Sequence, residues 1–284
     1  MQLYSSATPN LYAGTVNMPS RPGGVVNAMY YKGTSKKAYF FFNGEGETTG
    51  PVSQGLKNGP LGLIGASWQP EDSFFWIQGF GWASTADQNA VYAQMKALLG
   101  FTQIAMIGLS EGAWRATVIL TQGKANPIAA DTVAFLCMSS QGDDSVNKPA
   151  VTPIVSLGIT VIGTGDAAQD STVDIHAIQT QQLINYLLAA KAGGPFKFYD
   201  TPGTGHGGFQ QNCSPTSTLY GGTNIYAVLD PLFTRGTVVT PPPPPKTITT
   251  VSVSFNSGPA FTSSHPVKSV VISYTDGTAA TTLP

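Results

Sequence analysis

The residues with the clearest chemical potential are Gly108-Leu109-Ser110-Glu111-Gly112. A G-x-S-x-G run between a short apolar strand and a helix is where a serine stands on a sharp strand-to-helix turn. Ile104-Ala105-Met106-Ile107 supplies such a strand, and Ala113 to Leu120 reads as the start of a helix. The flanking residues must be small for the turn to close, and the hydroxyl is then exposed above a helix N-terminus. A serine hydroxyl is a weak nucleophile until a base takes its proton, and the resulting imidazolium needs a carboxylate to orient it. The chemistry to look for is acyl transfer through a covalent intermediate. Without that context the run is an ordinary glycine-rich turn.

The order expected after such a serine is acid, then histidine. The chain has three histidines, His176, His206 and His265. His265 lies beyond a run of prolines, and His176 falls inside a helix-like stretch where a structural role is the ordinary reading. His206 sits in Thr201-Pro202-Gly203-Thr204-Gly205-His206-Gly207-Gly208-Phe209, a loop after the last strand-like run, and is the expected base. Asp166 follows Ile162-Gly163-Thr164-Gly165 at the C-terminal end of a strand, where catalytic groups collect in parallel sheets. It is the expected acid. Asp170 is its rival, and Asp174 is expected in the first turn of the following helix, where a carboxylate complements the dipole.

An oxyanion needs two backbone donors: the amide after the nucleophile, here Glu111, and one from the loop after an early strand. Phe42-Asn43-Gly44-Glu45-Gly46-Glu47 fits that loop. The Glu45 amide is the candidate second donor, with Gly46 as the alternative and as a substrate-facing position. A phosphate loop is a poor reading, because there is no Gly-Lys-Ser/Thr and two glutamates would repel phosphate. Four tryptophans, Trp68, Trp76, Trp82 and Trp114, lie near the expected rim. Trp82, in Gly79-Phe80-Gly81-Trp82, is placed to line an acyl or sugar pocket; packing is the commoner role for each of them.

These groups need a rigid frame. Strand-like runs occur at 24–31, 38–42, 73–77, 104–107, 132–138, 159–162 and 196–199. Ala38-Tyr39-Phe40-Phe41-Phe42 is continuously apolar, as in a strand covered on both faces of a parallel sheet. Helical spacing runs from Asp87 to Leu99, stopping at Gly100, and from Thr172 to Lys191 with Ile175, Ile178, Leu183, Leu187 and Leu188 on a face. Strands alternating with helices imply right-handed crossovers and a mainly parallel sheet. Domain boundaries are expected at 1–238 for this α/β domain, 239–246 for a proline-rich linker, and 247–284 for a small β module. Pro241 to Pro245 is a stiff spacer. Thr247 to Phe255 alternates with period two, and Asp276-Gly277 is a hairpin signal.

At its candidate site the chain resembles the α/β-hydrolase family, and more narrowly its carboxylesterase, polyhydroxybutyrate-depolymerase-like and predicted-peptidase branch. Asn43-Gly44-Glu45-Gly46-Glu47 is similar to the H-G-x-G-E that branch carries after its third strand, Gly163-Thr164-Gly165-Asp166 to its G-x-x-D acid motif, and Gly205-His206 to its G-H motif. Leu56 to Ile64 resembles a segment often found there. The resemblance spans roughly residues 25 to 210 and implies a doubly wound sheet and a Ser110–His206–Asp166 triad. It departs at Asn43, which stands for the usual histidine, and at Glu111, where a neutral residue is usual. The charge of Glu111 implies a preference for neutral esters.

The remaining composition narrows the setting. Of 284 residues 42% are hydrophobic, enough for a large core, and only 10% are charged, with 14 Lys+Arg against 15 Asp+Glu. Ordinary soluble proteins carry roughly 25% charged residues. There is no basic patch for nucleic acid, and no apolar run approaches the ~18 residues of a membrane span. The N-terminal residues of this chain have no secretory-signal pattern, while a surface rich in Thr, Ser, Gly, Asn and Gln favours extracellular, virion or cell-surface exposure. Cys137 and Cys213 lie in no C-x-x-C motif; a disulfide flanking the site and two free buried thiols are both open readings. The expected function is hydrolysis of a small-molecule or polymeric ester without metal or organic cofactor. The alternatives are a peptidase on the same scaffold, or a non-catalytic binding protein whose β module docks on another protein or chain.

Overall fold

A strand whose every residue is apolar has to be covered on both faces, and the main sheet is built around that requirement. The computed structural model describes residues 2–5, 8–44, 64, 69–141, 148–168, 175–190, 195–206, 208–233, 250–255, 270–275 and 281–282. The chain divides into two units, Met1–Thr237 and Val238–Pro284. In the larger unit lie β1 (Gln2–Ser5), β2 (Thr8–Asn17), β3 (Val25–Tyr31), β4 (Lys37–Phe42), β5 (Ser73–Ile77), β6 (Gln103–Leu109), β7 (Thr132–Met138), β8 (Thr160–Gly165) and β9 (Phe196–Asp200). Among the described residues they form one sheet in the order 1-2-3-5-4-6-7-8-9. The pairs from β5 through β4, β6, β7 and β8 to β9 are parallel. β1, β2 and β3 add an antiparallel edge beside β5.

Because successive strand residues point to opposite faces, β4 feeds two cores. Phe40 and Phe42 join one with Phe75, Met106 and Phe135, under α1 (Thr85–Leu99), α2 (Glu111–Leu120) and, further along the sheet, α5 (His176–Ala190). Tyr39 and Phe41 join the other with Phe74, Trp76 and Leu136, under α7 (Ile225–Phe233). The shorter helices are α3 (Pro127–Asp131), α4 (Val151–Ser156) and α6 (Phe209–Asn212). The α1 boundaries follow its caps. The Ser84 side chain accepts from the Asp87 N–H, and Gly100 closes the helix in the left-handed region at φ 73.

Two sequence expectations need correction. The face assigned to the helix after β8 is right at Leu183 and Leu187, which are buried, and wrong at Ile175, Ile178 and Leu188, which are 56%, 43% and 50% exposed; Ala177, Thr180 and Ile184 are buried with the two leucines. The glycines of β8 set that rotation. A Cβ on Gly163 would lie 2.9 Å from Thr180 Cγ2, and one on Gly165 would lie 2.7 Å from Ala177 Cβ, so small residues of α5 seat directly on bare backbone. The strand expected to end in Gly163 also continues through Gly165. The sequence reading did not include β1 and β2, nor α7. The first two are polar in composition and are strands through pairing, β1 with β2 and β2 with β3. The third carries Ile225, Leu229, Leu232 and Phe233 at helical spacing despite Pro231.

Cys137 and Cys213 are both buried and both free, so the disulfide reading falls away. Burial pushes the Cys137 thiol up to about 12 and raises that of Cys213 as well. The thiolate is the reactive form. The expected result is therefore no modification of the native protein by a thiol reagent at pH 8, and two thiols titrated after denaturation. Rapid native labelling would contradict the burial.

In the smaller unit β10 (Thr250–Phe255), β11 (Val270–Thr275) and β12 (Thr281–Thr282) pair antiparallel in that order. The proline run and Asp276-Gly277 lie outside the described residues. Among the described residues no helix is long and apolar enough to cross a membrane.

Candidate active site

Chain order makes the sheet diverge at one place. From β4 the chain steps to β5 on one side, then crosses to β6 on the other, and β7, β8 and β9 continue outward from there. Ligands of open α/β sheets bind at such switch points, beyond the C-terminal ends of the strands. The turn after β6 lies there. Phe42, Gly108, Met138, Thr164 and the β9 residue Tyr199 mark this end by register.

Ser110 holds φ 55 and ψ −128, a conformation that costs about 1–3 kcal/mol for a residue with a side chain. Two backbone bonds enforce it: Ser110 N–H donates to the Met138 carbonyl at 2.9 Å, and Trp114 N–H donates to the Ser110 carbonyl at 3.1 Å. The flanking glycines have steric reasons. A Cβ on Gly108 would lie 2.6 Å from Ala113 Cα, and one on Gly112 would lie 2.1 Å from the Asn43 carbonyl oxygen. The helix after β6 begins at Glu111, earlier than the sequence expectation of Ala113, so the Glu111 amide belongs to its first turn.

His206 reaches this serine across the sheet end, with Nε2 3.0 Å from Ser110 Oγ. Its loop is shaped for the purpose. Thr204 N–H bonds the Thr201 carbonyl at 3.3 Å, with Pro202 and the left-handed Gly203 (φ 81) at the centre of the turn. Asp166, 2% exposed, is placed just beyond β8. Its Oδ2 accepts from Gly203 N–H at 2.8 Å and Gly205 N–H at 3.1 Å, so this carboxylate grips the backbone that leads into His206. Asp170 and Asp174 lie outside the described residues.

A buried polar cluster that the sequence reading did not single out holds the loop's far side. Asn212 Nδ2 donates to the Gly208 carbonyl at 2.9 Å, while Asn212 Oδ1 accepts from Thr164 Oγ1 at 3.2 Å and Tyr220 Oη at 3.1 Å. All three side chains are buried. Nothing local in Gln211-Asn212-Cys213 signals this; it depends on residues from β8 and on Tyr220. Asn212→Ala removes the acceptor of the buried Tyr220 hydroxyl, while the Gly208 carbonyl keeps the Asn212 N–H and Thr164 Oγ1 keeps Thr201 Oγ1, and it is expected to lower stability by about 1–3 kcal/mol in urea denaturation. An unchanged midpoint would show that the cluster does not hold the loop.

The oxyanion loop is described only as far as Gly44. A Cβ there would lie 3.4 Å from Ser110 Cβ and 3.9 Å from its Oγ, so the backbone after β4 runs beside the serine. The candidate donor Glu45 and its alternative Gly46 lie outside the described residues, as does Trp68. Asn43 is buried at 6% exposure, and among the described residues neither its Oδ1 nor its Nδ2 has a hydrogen-bond partner. Trp82 lines a small cavity with Phe42, Asn43, Phe80 and Gly81. Trp76 also borders it but is 1% exposed and belongs to the core, and Trp114 is half-buried. The Arg115 guanidinium lies 5.4 Å over the Trp82 ring and pairs with Glu111, Nη2 to Oε1 at 2.9 Å. The charge of Glu111 is therefore offset within its own helix, which removes the electrostatic reason for expecting neutral esters. His176, taken as structural, stands at the site as well: its ring centroid is 4.7 Å from that of His206.

Neither a protein-family model nor a curated protein sequence matches the chain. Among solved structures it is similar to carboxyl esterase 2 from the mycorrhizal fungus Tuber melanosporum. That likeness has 11% identity and a TM-score of 0.50, covering 70% of this chain and 78% of that one. It also matches a protein of unknown function from Agrobacterium tumefaciens described as a putative alpha/beta hydrolase. There the identity is 13% and the TM-score 0.49, over 69% of this chain and 87% of the other. At such identities likeness bears on architecture alone: the larger unit has the α/β-hydrolase fold, a mainly parallel sheet with helices on both faces.

Proposed function

We propose that this protein is a serine hydrolase that cleaves carboxylic esters through an acyl-enzyme. The observation that carries the reading is Ser110, on a strained turn at the sheet's switch point, with Oγ 3.0 Å from His206 Nε2. Ser110 Oγ attacks the ester carbonyl as its proton passes to His206 Nε2. The tetrahedral oxyanion is held by the Glu111 amide at the start of α2 and by the Glu45 amide. His206 then protonates the departing alcohol, and the same base activates the water that releases the acid. Asp166 is the acid of the triad: it fixes the loop that delivers the imidazole and its negative charge stabilises the imidazolium. The cavity at Trp82 is assigned to the acyl or sugar part of the substrate. Ester over peptide is favoured by the esterase name of the solved structure that shares this fold.

The test is a fluorophosphonate probe followed by peptide mass spectrometry, run beside parallel ester and peptide assays. The adduct is expected on Ser110, with turnover of short esters and little of peptides. Peptide turnover alone would move the reading to a peptidase. A protein inert to the probe and to both substrates would make the fold a binding scaffold, and the smaller β unit its docking module.

A further inference from the structure

The proposed chemistry uses one histidine, yet two meet at the site. His176 opens α5, and its Nδ1 lies 3.4 Å from His206 Nδ1, with the rings inclined by 40°. The other nitrogen of His206 faces Ser110 Oγ at 3.0 Å. Proton placement is therefore coupled along the line Ser110–His206–His176.

To take the serine proton, His206 Nε2 must present a lone pair, so a neutral His206 carries its hydrogen on Nδ1. The facing Nδ1 of His176 must then be an acceptor, with its own hydrogen on Nε2. The opposite arrangement puts the His206 hydrogen on Nε2 and disables the base. A protonated His176 is equally unproductive, because it presents a second donor to His206 Nδ1. Among the described residues, three carboxylates belong to this end of the sheet. Asp166 Oδ2 accepts from Gly203 and Gly205, Asp200 Oδ1 accepts from Ala167 N–H at 3.1 Å, and Glu111 is paired with Arg115.

We infer that His176 is a positioning residue for His206: as a neutral imidazole accepting the His206 Nδ1 hydrogen, it holds the tautomer that leaves Nε2 open to Ser110. This rests on the serine–histidine reading above. When His206 takes the serine proton, its Nδ1–H becomes a charge-assisted donor to His176, and no proton need leave the pair. Asp166 secures the loop and supplies the negative charge, while His176 supplies a second acceptor at the ring itself.

The experiment compares His176→Ala, His176→Asn and Asp166→Asn with the unaltered protein, using the pH dependence of kcat and kcat/KM on a short p-nitrophenyl ester. The unaltered protein is expected to lose kcat/KM at low pH with a two-proton slope, one proton for each histidine. His176→Ala is expected to lower kcat about 10- to 100-fold with little change in KM, short of the ~10⁴-fold that a wrong tautomer costs, and to reduce the acid limb to one proton. His176→Asn offers an oxygen acceptor that does not titrate; it is expected to recover most of kcat while keeping the one-proton limb. Wild-type kcat and an unchanged acid limb in His176→Ala would overturn the inference. So would a kcat loss in His176→Ala that Asn does not recover, or one that follows a fall in thermal stability. Asp166→Asn is expected to lose kcat while keeping the two-proton limb; a one-proton limb there would assign the second proton to Asp166 and also overturn it. Turnover that survives His206→Ala would defeat the underlying serine–histidine reading instead, and the two failures are distinguishable.

Discussion

Ser110→Ala is expected to lower kcat for a short p-nitrophenyl ester by about 10⁵- to 10⁶-fold, the scale lost when the nucleophile of such a set is removed. The residual rate over water would come from the oxyanion donors and binding. The fold should survive the change. The Ser110 side chain makes no helix-capping bond, and its strained backbone is held by the Met138 carbonyl and by Trp114 N–H, both of which Ala retains. The protein should lose the Oγ–His206 bond and about 1 kcal/mol of stability. The measurements are steady-state turnover, fluorophosphonate labelling and a denaturation curve on the same preparation. Turnover within tenfold of the unaltered protein, with a native-like denaturation curve, would remove Ser110 from the mechanism.

Gly112→Ala has the largest expected effect on stability. The added Cβ would meet the carbonyl oxygens of Asn43 at 2.1 Å and Phe42 at 2.5 Å. These are backbone atoms at the end of β4, so no side chain can swing away. Either α2 lifts from the sheet or the loop after β4 is displaced. Overpacking of this kind costs typically 1–3 kcal/mol, occasionally more, and a backbone neighbour puts this case near 3 kcal/mol or above. Since the displaced segment is the candidate oxyanion loop, kcat should fall with stability, unlike Ser110→Ala. Urea denaturation and ester turnover check both. A protein as stable as the original would mean that α2 and β4 are further apart than described.

Much of the frame was legible because its signals are local. Lys37–Phe42, Ser73–Ile77 and Thr132–Met138 stand out as short runs dominated by apolar residues, and α1 as helical spacing between a serine and a glycine. The elbow was legible for the same reason: five consecutive residues carry both the turn's steric demand and its nucleophile. β1 and β2 were not, since their strand character comes from pairing, β1 with β2 and β2 with β3, rather than from pattern. The face of α5 was misjudged because counting large apolar residues ignores that Gly163 and Gly165 admit only close neighbours. Glu111 was treated as a bare charge, although Arg115 stands four residues on, a spacing that pairs side chains on one helix face.

By itself the sequence determined the alternation of strands and helices from β3 to β9, the serine's turn, the candidate base His206, and Asp166 with its rival Asp170 as candidate acids. Each of these is written in contiguous residues whose sterics and hydrogen bonding act over a few positions. Only the tertiary structure decided what meets across the sheet end. It set His206 on Ser110, 96 positions apart in the chain, His176 on His206, 30 apart, and Asn212 between Thr164 and Tyr220. Such contacts depend on how strands are ordered and how helices rotate onto them, and that is settled by packing over the whole core rather than by any local pattern.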